Sequence, residues 1–212
     1  MDREQEIRLA LYLASHNLEE AKVENEVVNG GKEAKVENEV VNGVYIIYED
    51  GHHELFTGEN DKDGIKSVGI VFDGHAFAVA LKDLPKKYAL ARDTDKCEEG
   101  SPLYKGEVDS IFDWDAEAHT KHIVEAGTDI PLNDGEFIPT AAMLVAMYRM
   151  REQLNKALEY AGGEPLKTDN YYWSSSEGYR TYSWILKFGN GLLTNSNKCG
   201  SLYVRPCTAF NL

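Results

Sequence analysis

The sequence predicts an α+β domain preceded by a short helical segment, and three observations lead to this fold class. Two pairs of apolar, β-branched runs flank short loops of Asp, Asn and Gly, which is the pattern of β-hairpins. Two stretches between these hairpins repeat their apolar residues with a helical period. Hydrophobic residues make up 42% of the 212 residues, which is enough to build a buried core.

The first 43 residues differ in pattern from the rest of the chain. Residues 4–20 have the broad apolar side of a short amphipathic helix. The stretch Glu20–Gly30 then recurs letter for letter as Glu33–Gly43, with a period of 13 residues. Two copies are too few for a solenoid. We therefore expect residues 1–43 to form a stem or linker, and the alternative is a coiled stem that makes homo-oligomers.

The strands predicted between residues 44 and 212 are rich in Val, Ile, Leu and aromatic residues and end at turn signals. They are Val44–Tyr48, Ser67–Phe72, His75–Leu81, Ser183–Phe188, Leu192–Leu193 and Leu202–Arg205. Short turns at Asp73-Gly74 and at residues 189–191 join neighbouring strands into hairpins. Pro206 ends the last strand, because proline cannot donate to a sheet.

Two helices are predicted between the hairpins. The first extends from Trp114 to Ala126 and ends at Gly127, because glycine readily takes the left-handed conformation that follows a helix. The second begins at Pro139, which is a favoured first residue, and continues to Tyr160. We expect both helices to pack on antiparallel sheets.

Charge is distributed unevenly along the chain. The 36 acidic and 22 basic residues give a net charge of −14 and an isoelectric point near 4.8, which argues against a nucleic-acid partner. Residues 170–212 contain one acidic and four basic residues, so they carry +3 and the first 169 residues carry −17. No apolar run is long enough to span a bilayer, so membrane insertion is not expected.

Neither a metal site nor a catalytic centre is marked in the sequence. His119 and His122 have the i, i+3 spacing of zinc ligands, but no third ligand accompanies them, and a solvated helix face is the preferred interpretation. The stretch Glu59–Gly64 begins like a calcium-binding EF-hand loop, but Ile70 replaces the required glutamate. We predict no cofactor, no metal and no catalytic residue.

The three cysteines, Cys97, Cys199 and Cys207, are too few for a disulfide framework. Reduced thiols are therefore expected. Cys199 and Cys207 are eight residues apart and leave one enzymatic alternative open, a thiol-dependent oxidase, although no neighbouring group in the sequence would activate a thiolate.

The composition of residues 170–212 is that of a binding surface. Five of the 12 tyrosines lie there among many Ser, Asn and Gly residues. Tyrosine supplies rigid contact area, and the small polar residues supply adaptable hydrogen bonds. The alternative is a polar sheet surface that binds nothing.

Several motifs of the same region resemble a known family. They are Tyr172-Trp-Ser-Ser-Ser-Glu177, Trp184, Gly189-Asn-Gly191 and Val204-Arg-Pro-Cys-Thr-Ala-Phe210. This frame is similar to that of the variable proteins of diversity-generating retroelements, of the gut-bacterial and phage type, and the resemblance covers residues 44–212. It implies a C-type-lectin-like fold related to formylglycine-generating enzymes, with a variable region at about 170–212.

The resemblance also divides that region into a fixed scaffold and a varied, solvent-facing surface. The implied scaffold is Trp173, Ser174, Ser175, Trp184, Phe188, Gly191, Val204, Arg205, Pro206 and Phe210. The predicted ligand-binding residues are Tyr171, Tyr179, Arg180, Thr181, Tyr182, Ile185, Lys187, Thr194, Asn195, Ser196, Asn197, Cys199 and Gly200. In the strand at 183–188, Trp184, Leu186 and Phe188 are expected to pack, with Ile185 and Lys187 free on the other face. Arg205 is expected to be a structural hydrogen-bonding residue.

These implications predict a non-enzymatic protein that binds a protein or glycan ligand on a cell surface, as a phage tail receptor-binding protein does. One alternative is a bacterial surface adhesin or lectin of fixed specificity, and another is a formylglycine-generating-like enzyme. The amino-terminal residues lack the pattern of a signal peptide, so we expect synthesis in the cytoplasm and a place in the virion. A chain whose signal had been removed would instead belong at the cell surface.

Overall fold

The structure is a computed structural model that describes residues 41–92 and 100–211. The predicted N-terminal helix, most of the duplicated segment and Cys97 lie outside these ranges. Within the described ranges the chain forms nine strands and four helices, with two antiparallel sheets. The predicted α+β class is confirmed.

The first sheet contains six antiparallel strands in the order β2-β1-β3-β4-β9-β5. They are β1 (Gly43–Tyr48), β2 (His53–Leu55), β3 (Ile65–Phe72), β4 (His75–Val79), β5 (Glu136–Phe137) and β9 (Cys207–Ala209). The predicted turn between β3 and β4 is present, with φ of 51° at Asp73 and 76° at Gly74. Two successive positive φ values fit a two-residue hairpin turn, because they match the twist of the flanking strands.

The helices within the described residues are α1 (Glu107–Ile111), α2 (Ala116–Glu125), α3 (Ala141–Arg149) and α4 (Arg151–Tyr160). Side chains cap two of them. Asp115 accepts from the Ala118 amide at 3.1 Å at the start of α2, and Thr140 accepts from the Met143 amide at 3.3 Å at the start of α3. Pro139 therefore precedes the cap residue and is not the first helical residue.

The single helix predicted from residue 139 to 160 is wrong, because the chain turns at Met150, where φ is −101° and ψ is 9°. The two parts share β3 as a neighbour and differ in their other contacts. α3 contacts the second sheet as well as β3, whereas α4 contacts β1 and β3. The apolar periodicity runs through the break and so gives no sign of it.

The second sheet contains β6 (Tyr171–Tyr179), β7 (Tyr182–Lys187) and β8 (Leu192–Asn197), in that order and antiparallel. α1, α2 and α3 all contact β6. One core cluster joins this sheet to α2 and to neighbouring loops, and it comprises Tyr88, Leu90, Ile123, Ile130, Ile138, Trp173, Ile185 and Val204. A second cluster covers one face of the first sheet and comprises Tyr45, Ile47, Val71, Ala78 and Phe210.

The predicted last strand, residues 202–205, is displaced in the structure. Leu202 and Tyr203 make only isolated bridges, to Tyr88 and Tyr172 respectively. The strand forms instead after Pro206, at β9, which pairs with both β4 and β5. The apolar pattern at 202–204 reflects burial against loops and not membership of a sheet.

Candidate ligand-binding surface

The hairpin formed by β6 and β7 ends in two exposed tyrosines. Tyr179 and Tyr182 face each other across the strands, and Arg180 and Thr181 form the loop between them. The exposed fraction is 57% for Tyr179 and 38% for Tyr182. Asn197 of β8 pairs with Tyr182 and is also exposed. We call these five residues the hairpin tip.

Lys198 binds the backbone of the hairpin tip. Its ammonium group donates to the carbonyl oxygen of Arg180 at 3.0 Å, and its amide donates to the carbonyl oxygen of Thr181 at 3.0 Å. The carbonyl oxygen of Lys198 accepts from the amides of Leu90 and Ala91 at 2.8 and 3.1 Å. Lys198 therefore ties the loop to the segment Leu90–Ala91, which lies 90 residues earlier in sequence than the loop.

The same Lys198 ammonium forms an ion pair with the Glu177 carboxylate, and both residues are buried, with exposed fractions of 6% and 3%. The second oxygen of Glu177 accepts from the Ser101 amide at 2.8 Å. A charge buried without its partner is strongly unfavourable, so the two residues depend on each other. Sequence reasoning missed this pair. The only signal was that Glu177 is the one acidic residue among positions 170–212.

Two tryptophans fix the strands beneath the tip. Trp173 and Trp184 are fully buried, and each indole N–H has a partner. Trp173 Nε1 donates to the carbonyl oxygen of Tyr88 and Trp184 Nε1 donates to Ser110 Oγ, both at 2.8 Å. Large apolar rings whose polar atom is hydrogen-bonded give a rigid core, and both tryptophans are among the scaffold residues that the resemblance implied.

The serine segment of β6 joins the hairpin to α3. The β6–β7 register shifts between Trp173 and Glu177, so this segment leaves the ladder. The Ser175 amide donates to the carbonyl oxygen of Pro139 at 2.9 Å, and Ser176 Oγ accepts from the Ala141 amide at 3.0 Å. The bulge thus satisfies backbone groups at the start of the helix.

The structure places the predicted ligand-binding residues in separate groups. Tyr179, Arg180, Thr181, Tyr182 and Asn197 form the hairpin tip, and Gly200 lies half-buried nearby, with Trp173 Cζ2 3.9 Å from the position of its hypothetical Cβ. Thr194, Asn195 and Ser196 lie half-buried along β8.

Tyr171 and Lys187 pair with each other at the opposite end of the hairpin, with Lys187 Nζ 6.0 Å from the Tyr171 ring centroid. Eight strand residues at about 3.3 Å each put them roughly 25 Å from the tip. One small ligand therefore does not contact both groups.

Two predicted ligand-binding residues differ from the expectation, Ile185 in its burial and Cys199 in its thiol. Ile185 is 5% exposed and belongs to the core cluster around Trp173, so the prediction that it lies free on the outer face is wrong. The alternation of side chains along β7 predicted that this face is open to solvent, but loops and α2 cover it. Cys199 is disulfide-bonded, which corrects the expectation of a reduced thiol at this position.

Arg205 has the structural role predicted for it. Its guanidinium is fully buried, forms an ion pair with Asp83, and donates to the carbonyl oxygens of Ala80, Leu81 and Glu164 at 3.1–3.2 Å. Asp83 also accepts from the hydroxyl of Tyr172 at 2.9 Å. Burial, followed by the negative charge of Asp83, raises the pKa of the Tyr172 phenol.

The positive charge of residues 170–212 is largely neutralised within the fold. Lys198 and Arg205 are paired with buried carboxylates, which leaves Arg180 and Lys187 as the bases on the surface of this region. These two lie at opposite ends of the hairpin, so the tip presents Arg180 beside the tyrosines.

The sequence suggested that His119 lies on a solvated helix face. The structure instead buries His119, which is 3% exposed. Its Nε2 lies 3.3 Å from a carboxylate oxygen of Asp113. Burial raises the pKa of Asp113, but hydrogen bonds from the Asp115 amide and from His119 outweigh it and lower the pKa overall. Within residues 41–92 and 100–211, no three His, Cys, Asp or Glu side chains converge in a way that would hold a metal ion.

Comparison with known proteins gives a likeness of fold. No protein-family model matches the sequence, and no curated protein matches it. Among solved structures, a fimbrial protein from Bacteroides ovatus aligns with a TM-score of 0.52 and 14% sequence identity. The alignment covers 81% of this chain and 49% of that protein, so the chain spans about half of its length. No helix in the described part of the chain is long and apolar enough to cross a membrane.

Proposed function

We propose that the chain is a non-enzymatic binding domain that recognises a protein or glycan ligand on a cell surface through the hairpin tip. The observation that carries this proposal is the exposed cross-strand pair of Tyr179 and Tyr182, at the end of strands whose central residues are buried. Exposed tyrosines supply large, rigid contact area at a small cost in conformational entropy, and they are common anchors of binding sites.

The polar residues of the hairpin tip complement these anchors. Arg180 is exposed and brings a planar cation that can donate two parallel hydrogen bonds to a carboxylate or to neighbouring hydroxyl groups. Thr181 and Asn197 add small polar groups beside it. A ligand that presents hydroxyl, amide or carboxylate groups next to an apolar surface matches this combination.

The support beneath the tip favours binding over a merely exposed turn. The buried ion pair of Glu177 and Lys198 fixes the loop backbone through the carbonyl oxygens of Arg180 and Thr181. A loop that is ordered before binding loses less entropy when the ligand arrives, so more of the contact energy remains as affinity.

The state of the cysteines supports the non-enzymatic part of the proposal. Cys207 is fully buried, and burial strongly raises the pKa of its thiol. Cys199 is disulfide-bonded. A thiol-dependent oxidase needs a reactive thiolate, and neither residue offers one in this state.

The finer part of the proposal is that a diversity-generating retroelement varies the tip of a C-type-lectin-like domain. In its support, the implied scaffold residues Trp173, Trp184, Phe188, Val204 and Arg205 are all buried, whereas most tip residues are exposed. Sequencing the 3′ end of the gene in several isolates tests this part. Substitutions clustered in codons 179–200, with a near-identical template nearby, would support it, and invariant codons would contradict it.

A second candidate, an adhesin of fixed specificity, is favoured by two observations. Cys199 is disulfide-bonded, and disulfides persist in oxidising compartments such as the periplasm and the cell surface. The fold is also similar to that of a fimbrial protein. In either setting, oligomerisation through residues 1–43 would raise avidity by presenting several tips together.

The test of binding is the double substitution Tyr179→Ala with Tyr182→Ala, measured on a printed array of bacterial and mammalian glycans and on whole bacterial cells. We expect the unmodified protein to bind and the double variant to lose at least about 90% of the signal, because truncating a hot-spot aromatic to alanine commonly costs about 2 kcal/mol or more of binding free energy. The melting midpoint should change by less than about 2 °C, because both side chains are exposed.

The matched control is Leu55→Ala, which removes another exposed apolar side chain, 44% exposed, from β2 of the other sheet. It should leave binding unchanged. Loss of binding in the control, or a fall of many degrees in the melting midpoint of the tyrosine double variant, would contradict the assignment of the tip.

A further inference from the structure

A groove of about 570 Å³ lies at the end of the β6–β7 hairpin that is opposite the hairpin tip. One wall is the start of α4, with Arg151, Glu152 and Asn155. The other wall consists of residues 168–169, before β6, and residues 187–190, at the turn between β7 and β8. Small-molecule sites in proteins commonly have volumes of about 300–1,000 Å³, so the groove has room for a ligand of that size.

Contacts among the surrounding residues fix both walls of the groove. The Gly189 amide donates to the carbonyl oxygen of Thr168 at 3.0 Å, and a Cβ added to Gly189 would lie 2.5 Å from that oxygen. On the opposite wall, the guanidinium carbon of Arg151 lies 4.3 Å from the ring centroid of Tyr148. Arg151 Nη1 also donates to the Tyr148 carbonyl oxygen at 3.1 Å. A site whose walls are ordered in advance loses less entropy when a ligand binds.

Two cations in the groove are not neutralised by ion pairs. Arg151 and Lys187 form no ion pair with any carboxylate in residues 41–92 and 100–211. Apart from its bond to the Tyr148 carbonyl oxygen, the guanidinium of Arg151 makes no hydrogen bond within those ranges, so several of its donors stay open. An arginine with open donors suits a carboxylate, which it can bind through two parallel hydrogen bonds.

The other polar side chains of the groove offer both acceptors and donors. Glu152 and Asp169 are exposed carboxylates, which only accept. The side-chain oxygens of Asn155 and Asn190 already accept from backbone amides, at 3.0 and 3.2 Å, so these side chains present their Nδ2 donors to a ligand. A hydroxyl group both donates and accepts, and a ligand rich in hydroxyls therefore matches this mixture.

The balance of charge and the scarcity of apolar side chains narrow the class of ligand further. The two carboxylates offset the two cations, so a ligand with one carboxylate among several hydroxyls fits better than a polyanion. Peptides are commonly recognised through pockets for their apolar side chains. The one apolar side chain of this lining, Phe188, is 1% exposed and offers no such pocket.

We propose that this groove binds an acidic saccharide of the uronic acid type, a sugar ring that carries a carboxylate beside its hydroxyls. Arg151 binds the carboxylate, and Lys187 adds positive charge. Glu152 and Asp169 accept from the hydroxyls, and the asparagine amides donate to them. This site is separate from the hairpin tip, so the inference does not rest on the function proposed above.

Chemical-shift mapping on the isotope-labelled full-length protein tests the site with matched probes. Methyl glucuronoside is compared with methyl glucoside, and digalacturonate with galactobiose, so that each pair differs only in its carboxylates. At least one acidic probe should shift the amides of residues 151–155, 168–169 and 187–190, with a Kd on the order of 1 mM. Its neutral partner should bind at least about tenfold more weakly.

Three results of this mapping would overturn the proposal. They are the absence of shifts at those residues with both acidic probes, equal binding of the neutral partners, and tighter binding of a triglutamate peptide than of either acidic sugar. The last result would indicate an acidic peptide as the partner.

Arg151→Gln and Lys187→Gln test the two cations with the acidic probe that binds. Arg151→Gln should weaken binding at least about tenfold, because the paired hydrogen bonds to the carboxylate are lost. Lys187→Gln should weaken it about two- to fivefold, which is the scale of an exposed charge pair. Unchanged affinity in both folded variants would contradict the site.

Arg149→Gln is the matched control, since Arg149 is exposed at the end of α3 and does not line the groove. It should leave the Kd unchanged, and a loss equal to that of Arg151→Gln would overturn the assignment. The double variant Tyr179→Ala, Tyr182→Ala should also keep its affinity for the acidic sugar. Failure of the hairpin tip and failure of the groove are therefore distinguishable.

Discussion

Arg205 and Asp83 are 122 residues apart in sequence, yet Arg205 Nε lies 2.6 Å from Asp83 Oδ1, with side chains only 0% and 3% exposed. The guanidinium also donates to the carbonyl oxygens of Ala80, Leu81 and Glu164. This one side chain therefore links three parts of the chain: the residues after β4, the residues after α4, and the stretch that precedes β9.

Replacing Arg205 by lysine should destabilise the protein by about 3 kcal/mol, or roughly 6–12 °C in the melting midpoint. Lysine keeps the charge but cannot direct several donors at a carboxylate and three carbonyl oxygens together. The measurement is thermal unfolding followed by circular dichroism. Arg180→Lys, an identical exchange at an exposed position, is the control and should leave the midpoint unchanged. Equal effects at both positions would contradict the role of Arg205.

Removing either charge of the ion pair beneath the hairpin tip should lower the stability of the fold. Glu177→Gln and Lys198→Met each leave one buried charge uncompensated, and we expect a loss of about 3–5 kcal/mol from each. The combined Glu177→Gln, Lys198→Met variant should lose less than the sum, because no buried charge remains. Denaturant unfolding of the four proteins measures this coupling, and additive losses would show that the residues act independently.

Gly191 is required by both its conformation and its surroundings. Its φ is 71°, and an added Cβ would lie 2.4 Å from Cζ of Tyr148. Gly191→Ala should therefore lower stability by more than the roughly 1 kcal/mol that a positive φ costs an alanine. Gly74→Ala is the control, because Gly74 has a φ of 76° and no other atom near the added Cβ. Equal midpoints would show that Tyr148 moves aside without cost.

The thiol of Cys207 should report unfolding. Cys207 is fully buried in β9, and burial raises the pKa of its thiol well above 9.0, the value expected when it is exposed. Iodoacetamide should therefore label it only as fast as the domain opens, as measured by peptide mass spectrometry. Rapid labelling in native buffer would contradict this burial.

The same burial makes stability depend on pH. The unfolded Cys207 thiol ionises as pH rises through 9.0 while the folded one stays protonated, so stability should fall above that pH.

Local signals made part of the fold predictable. The Asp73-Gly74 turn was evident because two-residue hairpins demand residues that tolerate positive φ, and the structure has both. The C-terminal end of α2 followed from Gly127. The burial of Trp184, Leu186 and Phe188 followed from their alternation along the strand. Arg205 was assigned a structural role from the motif around it, and its contacts confirm that role.

The features that could not be predicted depend on distant partners. Ile185 alternates with buried residues and would face solvent in an isolated sheet, but α2 and the loops around Leu90 cover that side. From the sequence alone Lys198 would be expected to be exposed. In the structure it is surrounded by Glu177 and the carbonyl oxygens of the loop. At the bend at Met150, α3 and α4 share β3 as a neighbour but differ in their other strand contacts, which the periodicity of a continuous apolar stripe does not encode.

The position of β9 has a consequence for synthesis on the ribosome. β9 lies between β4 and β5, so these two strands lack their shared neighbour until residues 207–209 have been translated. The first sheet cannot be completed before these residues have left the ribosome, and until then the β4 edge of the nascent chain stays exposed. Premature termination before residue 207 would leave that edge open to pairing between molecules, so shortened products should aggregate or be degraded.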